Sequence, residues 1–594
     1  MWTAPYVLLD DASAGSGGGG TLARLYRDPV DIVRADTPAE VVPALDRLRI
    51  ARARGLHAAG YLTYEAGAAF SPKPVPVRGT GPLLWFGLFA GYDEIRAQDV
   101  ARLLPDPAGA WTGAPVPGIE RDAYDARLAR VLDLIAAGDI YQANLTFAAT
   151  VPFVGDPLAL YARLRLQAGA GYGALIDTGA TRFLSLSPEL FFALDGDTLT
   201  CRPMKGTARR GDTPDADRAI AEALAADPKQ RAENLMIVDL MRNDLSRVAT
   251  QVAVPDLFTV ETYPTVHQMT STVTATLKAD CDAVDVLAAL FPCGSITGAP
   301  KQRAMEVIAE VEHARTRGIY TGSIGRLDPN GDAIFNVAIR TIAVQGELAT
   351  MSLGSGIVAD SVGDAEWEEC RAKGAFVTAG QRRFDLIETM AFDPDDGLMR
   401  LEAHLARMKA SADALGFVFD RHAARNELQA ATFRLRVARR IRLLLSPTGA
   451  VAIEAAPLPR SPALASVAIV PLPVAPTDSR LRHKTSDRDF YDRARKTAGT
   501  FEVVFEDADG FLTEGSFTSL FVQRDTGLVT PPLRPNRFSG LLPGILRAEL
   551  LESGRATEAP LTRTDLADGF FIGNAVRGLV PAIVAVAKSA DPGV

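Results

Sequence analysis

Three strand-like apolar runs lie among helical segments in the first 380 residues: RFLSLSPELFFAL (182–194), AIFNVAIRTIAV (333–344) and ATMSLGSGIVA (349–359). They show no regular strand–helix alternation. A doubly wound parallel sheet needs a crossover helix after nearly every strand, so this order predicts an α+β fold instead. Residues 120–137 carry apolar positions at helical spacing and stop at Gly138, a good helix terminus. Residues 213–246 and 364–376 also read as helical, and Leu235, Val238, Met241 and Leu245 predict one apolar stripe. Near residue 380 the pattern restarts. FDLIETM (384–390) reads as a strand, and LEAHLARMKASADALGF (401–417) as an amphipathic helix ending at Gly416. Two large units are expected, 1–380 and 382–594.

The 594 residues are 47% apolar and 23% charged, enough for sizeable cores and too apolar for a largely disordered chain. The net charge of −9 makes a general nucleic-acid binder a poor reading. Cys201, Cys281, Cys293 and Cys370 are widely spaced with no CxxC pair, which fits a reducing cytosol and excludes a disulfide framework. The N-terminus lacks a basic region before its short apolar run, and no run approaches the ~18 residues of a membrane span. A soluble cytoplasmic protein is expected. AGSGGGG (14–20) reads as a flexible surface loop. AGAGYG (168–173) follows a helix rather than a strand, so it is a poor dinucleotide site. The six histidines include no pair at metal-ligand spacing.

Chemistry-bearing residues cluster in a few segments. GDIYQANLT (138–146) places Gln142 and Asn144 at a helix-to-strand passage. SLSPELF (185–191) sets Glu189 in an apolar strand context. CRPMKGTARR (201–210) puts Lys205 before Gly206, where backbone could approach a ligand closely. In AEWEECRAK (365–373), Glu366 and Glu369 share a helix face. With Glu233 they could hold Mg²⁺, which prefers a few carboxylates plus substrate oxygens.

FPCGSITGAPKQRAM (291–305), GIYTGSIG (318–325), FNVAIRT (335–341) and GSGIVADS (354–361) resemble the chorismate-binding enzyme family over about residues 120–378, and weakly before that. The resemblance implies two packed β-sheets surrounded by helices. Family members that add water to chorismate carry a lysine where this chain has Gln142, which implies ammonia as nucleophile. Members that aminate chorismate at C4 carry the lysine found here as Lys205, whereas those making anthranilate have alanine. By position the resemblance implies that Lys205 attacks C2 of the ring while Glu189 protonates the departing 4-hydroxyl. His267 would lie near that hydroxyl and Thr297 would contact the ligand. Arg340, Lys373 and the amides of Gly354 and Gly356 would hold carboxylates. Glu233, Glu366 and Glu369 would surround Mg²⁺.

The second half carries LRHKTSDRDFYDRARK (481–496), DGFLTEGSFTSLFV (509–522), LLPGILRAEL (541–550) and FFIGNAVRGLVPA (570–582). Pro543 and Gly544 open a helix whose first amides could bind phosphate. These segments resemble the class IV aminotransferase family over about 384–590, implying two α/β subdomains with pyridoxal phosphate between them. By position, Lys484 would bond the cofactor, Glu514 would pair with its ring nitrogen, and Arg407, Ile545, Asn574 and Ala575 would face its phosphate. Ser519 stands where the family usually has asparagine. Together the two resemblances imply a bifunctional enzyme: chorismate and ammonia give 4-amino-4-deoxychorismate, then pyruvate leaves to give 4-aminobenzoate. The alternative makes the second half an aminotransferase of branched-chain or D-amino acids. No segment offers a glutaminase, so a separate glutamine amidotransferase is the expected ammonia source, and a homodimer through the second half is implied.

Overall fold

The computed structural model describes residues 3–12, 22–71, 81–263, 266–313, 315–533 and 540–585; the glycine-rich stretch 14–20 lies outside them. The chain divides into two compact units. One comprises Met1–Leu104, Ala114–Val151 and Tyr161–Gly380. The other comprises Gln381–Val594 together with two segments from the first half, Pro105–Gly113 and Pro152–Leu160.

The first unit holds two ten-stranded sheets. Every strand pairing in them is antiparallel, which explains why no strand–helix alternation is needed. In one sheet, Gln142–Val151 pairs with Leu348–Ile357 and with the short Gly298–Ala299. In the other, Met204–Arg209 and Thr198–Arg202 both pair with the long Val266–Leu277. Between the sheets, Val7, Tyr26, Ile176 and Phe183 of the first meet Tyr61, Trp85, Phe89 and Ile324 of the second. A larger core packs the second sheet against helices Pro38–Ala53, Pro228–Leu245 and Ala283–Leu290.

The predicted helices form, with informative differences. Residues 120–137 appear as Arg121–Ala136, and Gly138 takes a left-handed φ of 80°. The stretch 213–246 is two helices, Pro214–Ala226 and Pro228–Leu245. Asp227 ends the first and caps the second, accepting from the amides of Lys229 and Gln230, with Pro228 at the first helical position. The apolar stripe of the second is Ile237, Val238, Met241 and Leu245. Leu235 lies outside it, 43% exposed.

The second unit contains a four-stranded antiparallel sheet, including Leu386–Asp393, Arg439–Leu445 and Val451–Pro457, and an eight-stranded mixed sheet. Helix Leu401–Ala414 packs on the first of these, with Leu405, Met408 and Ala412 in its core. Trp111 joins that core. It comes from a two-stranded ribbon, Ala110–Thr112 against Phe153–Gly155. The same early segments supply ion pairs and hydrogen bonds: Arg480 pairs with Asp106 at 3.0 Å, and Thr477 donates to Asp156. No helix among the described residues is long and apolar enough to cross a membrane.

Candidate active sites

In the first unit, side chains from several elements converge on Gly356. A Cβ placed there would lie 2.8 Å from Lys205 Nζ and 3.0 Å from Gln142 Nε2. Gln142 begins its strand and is fully buried, yet neither its amide nitrogen nor its oxygen has a hydrogen-bond partner. Buried amides are normally satisfied, so this one is suited to a bound molecule. Glu189 sits in the bend between strands Arg182–Ser187 and Leu190–Asp195, where Ser295 Oγ donates to it at 2.7 Å. Burial pushes its pKa up to about 7 despite that hydrogen bond and the charge of Lys205. Burial lowers the pKa of Lys205, while Glu233, Glu369 and Glu189 act against that shift. Proximity therefore couples this lysine to three of the predicted carboxylates.

Lys373 pairs with Glu369 at 2.6 Å and donates to Gly354 O at 3.0 Å. Burial alone would raise Glu369; the Lys373 charge holds it below the usual range. Glu366 accepts from Ser361 Oγ through one oxygen, and its other oxygen is buried without a partner. No group of three acidic, histidine or cysteine side chains converges closely enough to hold a metal among the described residues. The unpartnered Glu366 oxygen and the electrostatic coupling of Glu233 to Glu369 still supply donor chemistry that suits Mg²⁺.

Other predicted residues sit differently. His267 is buried on strand Val266–Leu277, with its ring nitrogens on Asp217 at 2.8 Å and Thr262 at 3.1 Å. These bonds tie the strand to a helix and its neighbour rather than to Lys205 or Glu189. The Thr297 hydroxyl donates to Cys293 O at 2.7 Å, leaving only acceptor capacity. Arg340 has a left-handed φ of 50°, and burial lowers its pKa; no carboxylate pairs with it among the described residues. Gly206 has a φ of 93°, and a Cβ there would meet Gln230 at 3.1 Å and Met269 at 3.2 Å.

In the second unit a cavity of about 570 Å³ is lined from both sheets. Ile387, Thr389 and Arg442 come from the four-stranded sheet, and Glu514, Ser519 and Asn574 from the eight-stranded one. Lys484 lies at its centre of chemistry, its carbonyl fixed by the amide of Ile387 at 2.8 Å. Burial lowers its pKa to about 7, and Arg407, Arg488 and Arg442 push the same way. Burial raises Glu514 to about 7 although Tyr491 OH donates to it at 2.5 Å and the Leu542 amide at 2.9 Å. Arg407 makes a two-pronged pair with Glu388, both at 2.7 Å, and donates to Pro543 O at 2.8 Å. That bond anchors the turn opening helix Ile545–Glu552. Asn574 Oδ1 accepts from the amides of Val576 and Arg577, folding the loop at Ala575. The predicted cofactor residues thus meet in one cavity, with a lysine, an acid and a helix start. Ser519 Oγ would lie 2.5 Å from a Cβ at Gly544, so this small side chain allows that turn to approach.

A chorismate binding enzyme model matches residues 6–379, and an amino-transferase class IV model matches residues 385–583. The chain belongs to the chorismate binding enzyme family. Its second unit is a class IV aminotransferase domain, a type that implies pyridoxal phosphate. Over 261 residues the chain is 45% identical to aminodeoxychorismate synthase component 1 of Salmonella typhimurium, covering 43% of this chain and 57% of that one. Over 297 residues it is 39% identical to anthranilate synthase component 1 of Haloferax volcanii, covering 49% and 56%. The chain therefore spans less than two thirds of the length of these curated relatives. The crystal structure of anthranilate synthase component I from Streptococcus pneumoniae superposes with a TM-score of 0.53 at 25% identity, covering 61% of this chain and 93% of that one. Relatives of comparable identity thus carry two different names, aminodeoxychorismate synthase and anthranilate synthase.

Several residues at these sites escape sequence reasoning. Ser295 lies in a quoted family motif, but its bond to Glu189 needs two distant segments to meet. Glu388 is one strand residue, recognisable only once helix residues His404 and Arg407 face it. Arg488 and Tyr491 lie in the segment quoted with Lys484, but Lys484 precedes helix Asp489–Ala498 and Thr485 bridges to Leu386, so no periodic signal links them.

Proposed function

We propose that the first unit converts chorismate and ammonia to 4-amino-4-deoxychorismate and water, and that the second converts this product to 4-aminobenzoate and pyruvate. The observation that carries the first step is the meeting of Lys205 Nζ and the unpartnered Gln142 amide at Gly356. Glutamine has no basic nitrogen, so it does not deprotonate water as a lysine would. Burial leaves the Lys205 amine more readily neutral and nucleophilic. In the proposed sequence that nitrogen bonds C2 while Glu189 gives its proton to the leaving 4-hydroxyl. Ammonia then adds at C4 and the lysine departs. Glu233, Glu366 and Glu369 would hold Mg²⁺, which would neutralise the ring carboxylate of chorismate.

In the second unit, pyridoxal phosphate when bound supplies an electron sink. Lys484 would take the C4 proton of the amine substrate, and Glu514 would keep the ring nitrogen protonated. Arg407 and the start of helix Ile545–Glu552 would hold the phosphate. The matched relatives are named as a component 1, which supports a separate glutamine amidotransferase as ammonia source. A dimer through the second unit belongs to the same reading.

One incubation tests the proposal: chorismate, ammonium, Mg²⁺ and pyridoxal phosphate, with products separated by chromatography. 4-Aminobenzoate with equimolar pyruvate is expected. Anthranilate or isochorismate as product refutes the Lys205 and Gln142 roles. Aminodeoxychorismate alone refutes the lyase and turns the second unit into an aminotransferase.

Two pH dependences follow from the buried groups. Glu189 acts as an acid only when protonated, and its raised pKa keeps it so up to about 7. Turnover of the amination step should therefore fall as pH rises through about 7, measured at saturating ammonia rather than ammonium. The same proton stabilises the fold at lower pH and its contribution declines through that window. Lys484 must be neutral to bond an aldehyde. Its pKa near 7 means that the cofactor-stripped protein should take up pyridoxal phosphate at a rate that rises through about pH 7 and then levels. Visible absorbance follows the uptake. A midpoint at the ordinary lysine pKa would contradict the enclosed environment described for Lys484.

A further inference from the structure

Six arginines line the cavity of the second unit, more cations than a single phosphate requires. Arg407 is matched by Glu388, and Arg495 by Asp492 at 3.2 Å. Arg440, Arg442, Arg488 and Arg577 have no carboxylate within ion-pair distance among the described residues. Arg440 and Arg442 alternate on strand Arg439–Leu445, whose other face sends Ile441, Leu443 and Leu445 into the core. The two guanidiniums therefore project from one face, and the Nε of each is buried without a partner. Glu454 lies across from Arg442 on the neighbouring strand but forms no ion pair with it.

Arg577 approaches from the opposite sheet. Its Nη1 donates to Arg460 O at 2.6 Å and to Ser461 Oγ at 3.1 Å. Its guanidinium lies 5.4 Å from the Phe501 ring centre and 5.6 Å from that of Phe517. These contacts fix it with its remaining nitrogens unengaged. Both Arg440 and Arg577 line the cavity; burial lowers the Arg577 pKa, the Glu502 charge acts against that shift, and the nearby Arg440 charge adds to it. Like charges held together without an ion-paired carboxylate cost free energy until an anion arrives.

We propose that Arg440 and Arg577, with Arg442 beside them, form a carboxylate-recognition wall separate from the phosphate end. This wall selects a ring substrate bearing two carboxylates. The inference rests on the lyase reading of this cavity and names the substrate class it takes. Arg407 and helix Ile545–Glu552 hold the cofactor's phosphate; the wall takes the ring carboxylate and the carboxylate on the ether arm. An amino acid with a hydrocarbon side chain would leave a cation unmatched.

The full-length, cofactor-loaded protein is titrated with 3-(carboxymethoxy)benzoate, benzoate and L-glutamate, with cofactor absorbance as the readout. The ring diacid should bind at least about tenfold more tightly than benzoate, the increment of one good charge pair. Arg440→Met and Arg577→Met should each remove about that factor, with cofactor content unchanged. Kinetics on aminodeoxychorismate give a second readout: KM should rise about tenfold in each variant with kcat changed far less. Equal binding of diacid and benzoate, unchanged KM in both variants, or preference for glutamate over the ring diacid overturns the inference. Failure of pyruvate release in wild-type protein with arginine-dependent diacid binding intact removes the lyase reading alone.

Discussion

Replacing Lys484 by alanine stops pyruvate release while aminodeoxychorismate continues to form. Lys484 is the one lysine lining the cavity of the second unit among the described residues, and burial with three surrounding arginines lowers its pKa to about 7, so a substantial share of the amine is neutral near pH 7. It would both anchor the cofactor and move the C4 proton, so its loss removes two functions together. The expected fall in 4-aminobenzoate formation is more than about 10³-fold, within the span that a positioned acid–base group supplies. The amination step uses Lys205 and Glu189 in the other unit and should keep its rate. Chromatography of one reaction reads both numbers. Continued 4-aminobenzoate production at the wild-type rate would place the elimination elsewhere.

The second large effect is expected at Gly356. A methyl there would come within 2.8 Å of Lys205 Nζ and 3.0 Å of Gln142 Nε2. Both are ends of side chains, so they can swing aside and the backbone need not move. Gly356→Ala should unfold at nearly the wild-type temperature, yet amination should fall about 10²-fold, because ångström displacements of a reacting group carry penalties of that order. Gly354→Ala is the contrasting variant. Its Cβ would meet Leu145 O at 2.7 Å and Thr146 Cγ2 at 2.6 Å across the strand pair. Backbone cannot swing away, so this variant should lose about 1–3 kcal/mol of stability. Thermal melts and initial rates on both separate a displaced nucleophile from a damaged sheet. A fully active Gly356→Ala would remove Lys205 from the reaction.

The family resemblance implies the two sheets, while the irregular strand order points to α+β rather than a doubly wound sheet and the restart near residue 380 marks a second unit. Those signals are local and periodic, so a single sequence carries them. Leu235 illustrates what periodicity misses: it sits at helical spacing with the stripe, but the helix rotates Ile237 to the core in its place. Lys205, Gln142, Glu189, Lys484 and Glu514 stood out through motifs. Their clustering depends on strands far apart in the chain and became visible only in the fold. His267 is assigned by its match to a family histidine, and the bond of its ring to Asp217 can be seen only in the fold. The arginine wall was written in RRIRLLL (439–445) as cations alternating with apolar residues. That period-two pattern tells which residues share a face, but not that the face lines a cavity.

The ribbon of Ala110–Thr112 and Phe153–Gly155 bears on how the protein is made. It leaves the ribosome more than two hundred residues before Gln381, where the main body of its own unit begins. At the usual 5–20 residues per second, Trp111 and Val154 wait about 10–50 s for Leu386 and Met390 to appear. During that interval an aromatic and an aliphatic side chain have no core to enter. A gene split near codon 380 would carry the same difficulty into two polypeptides, each born lacking something the other holds.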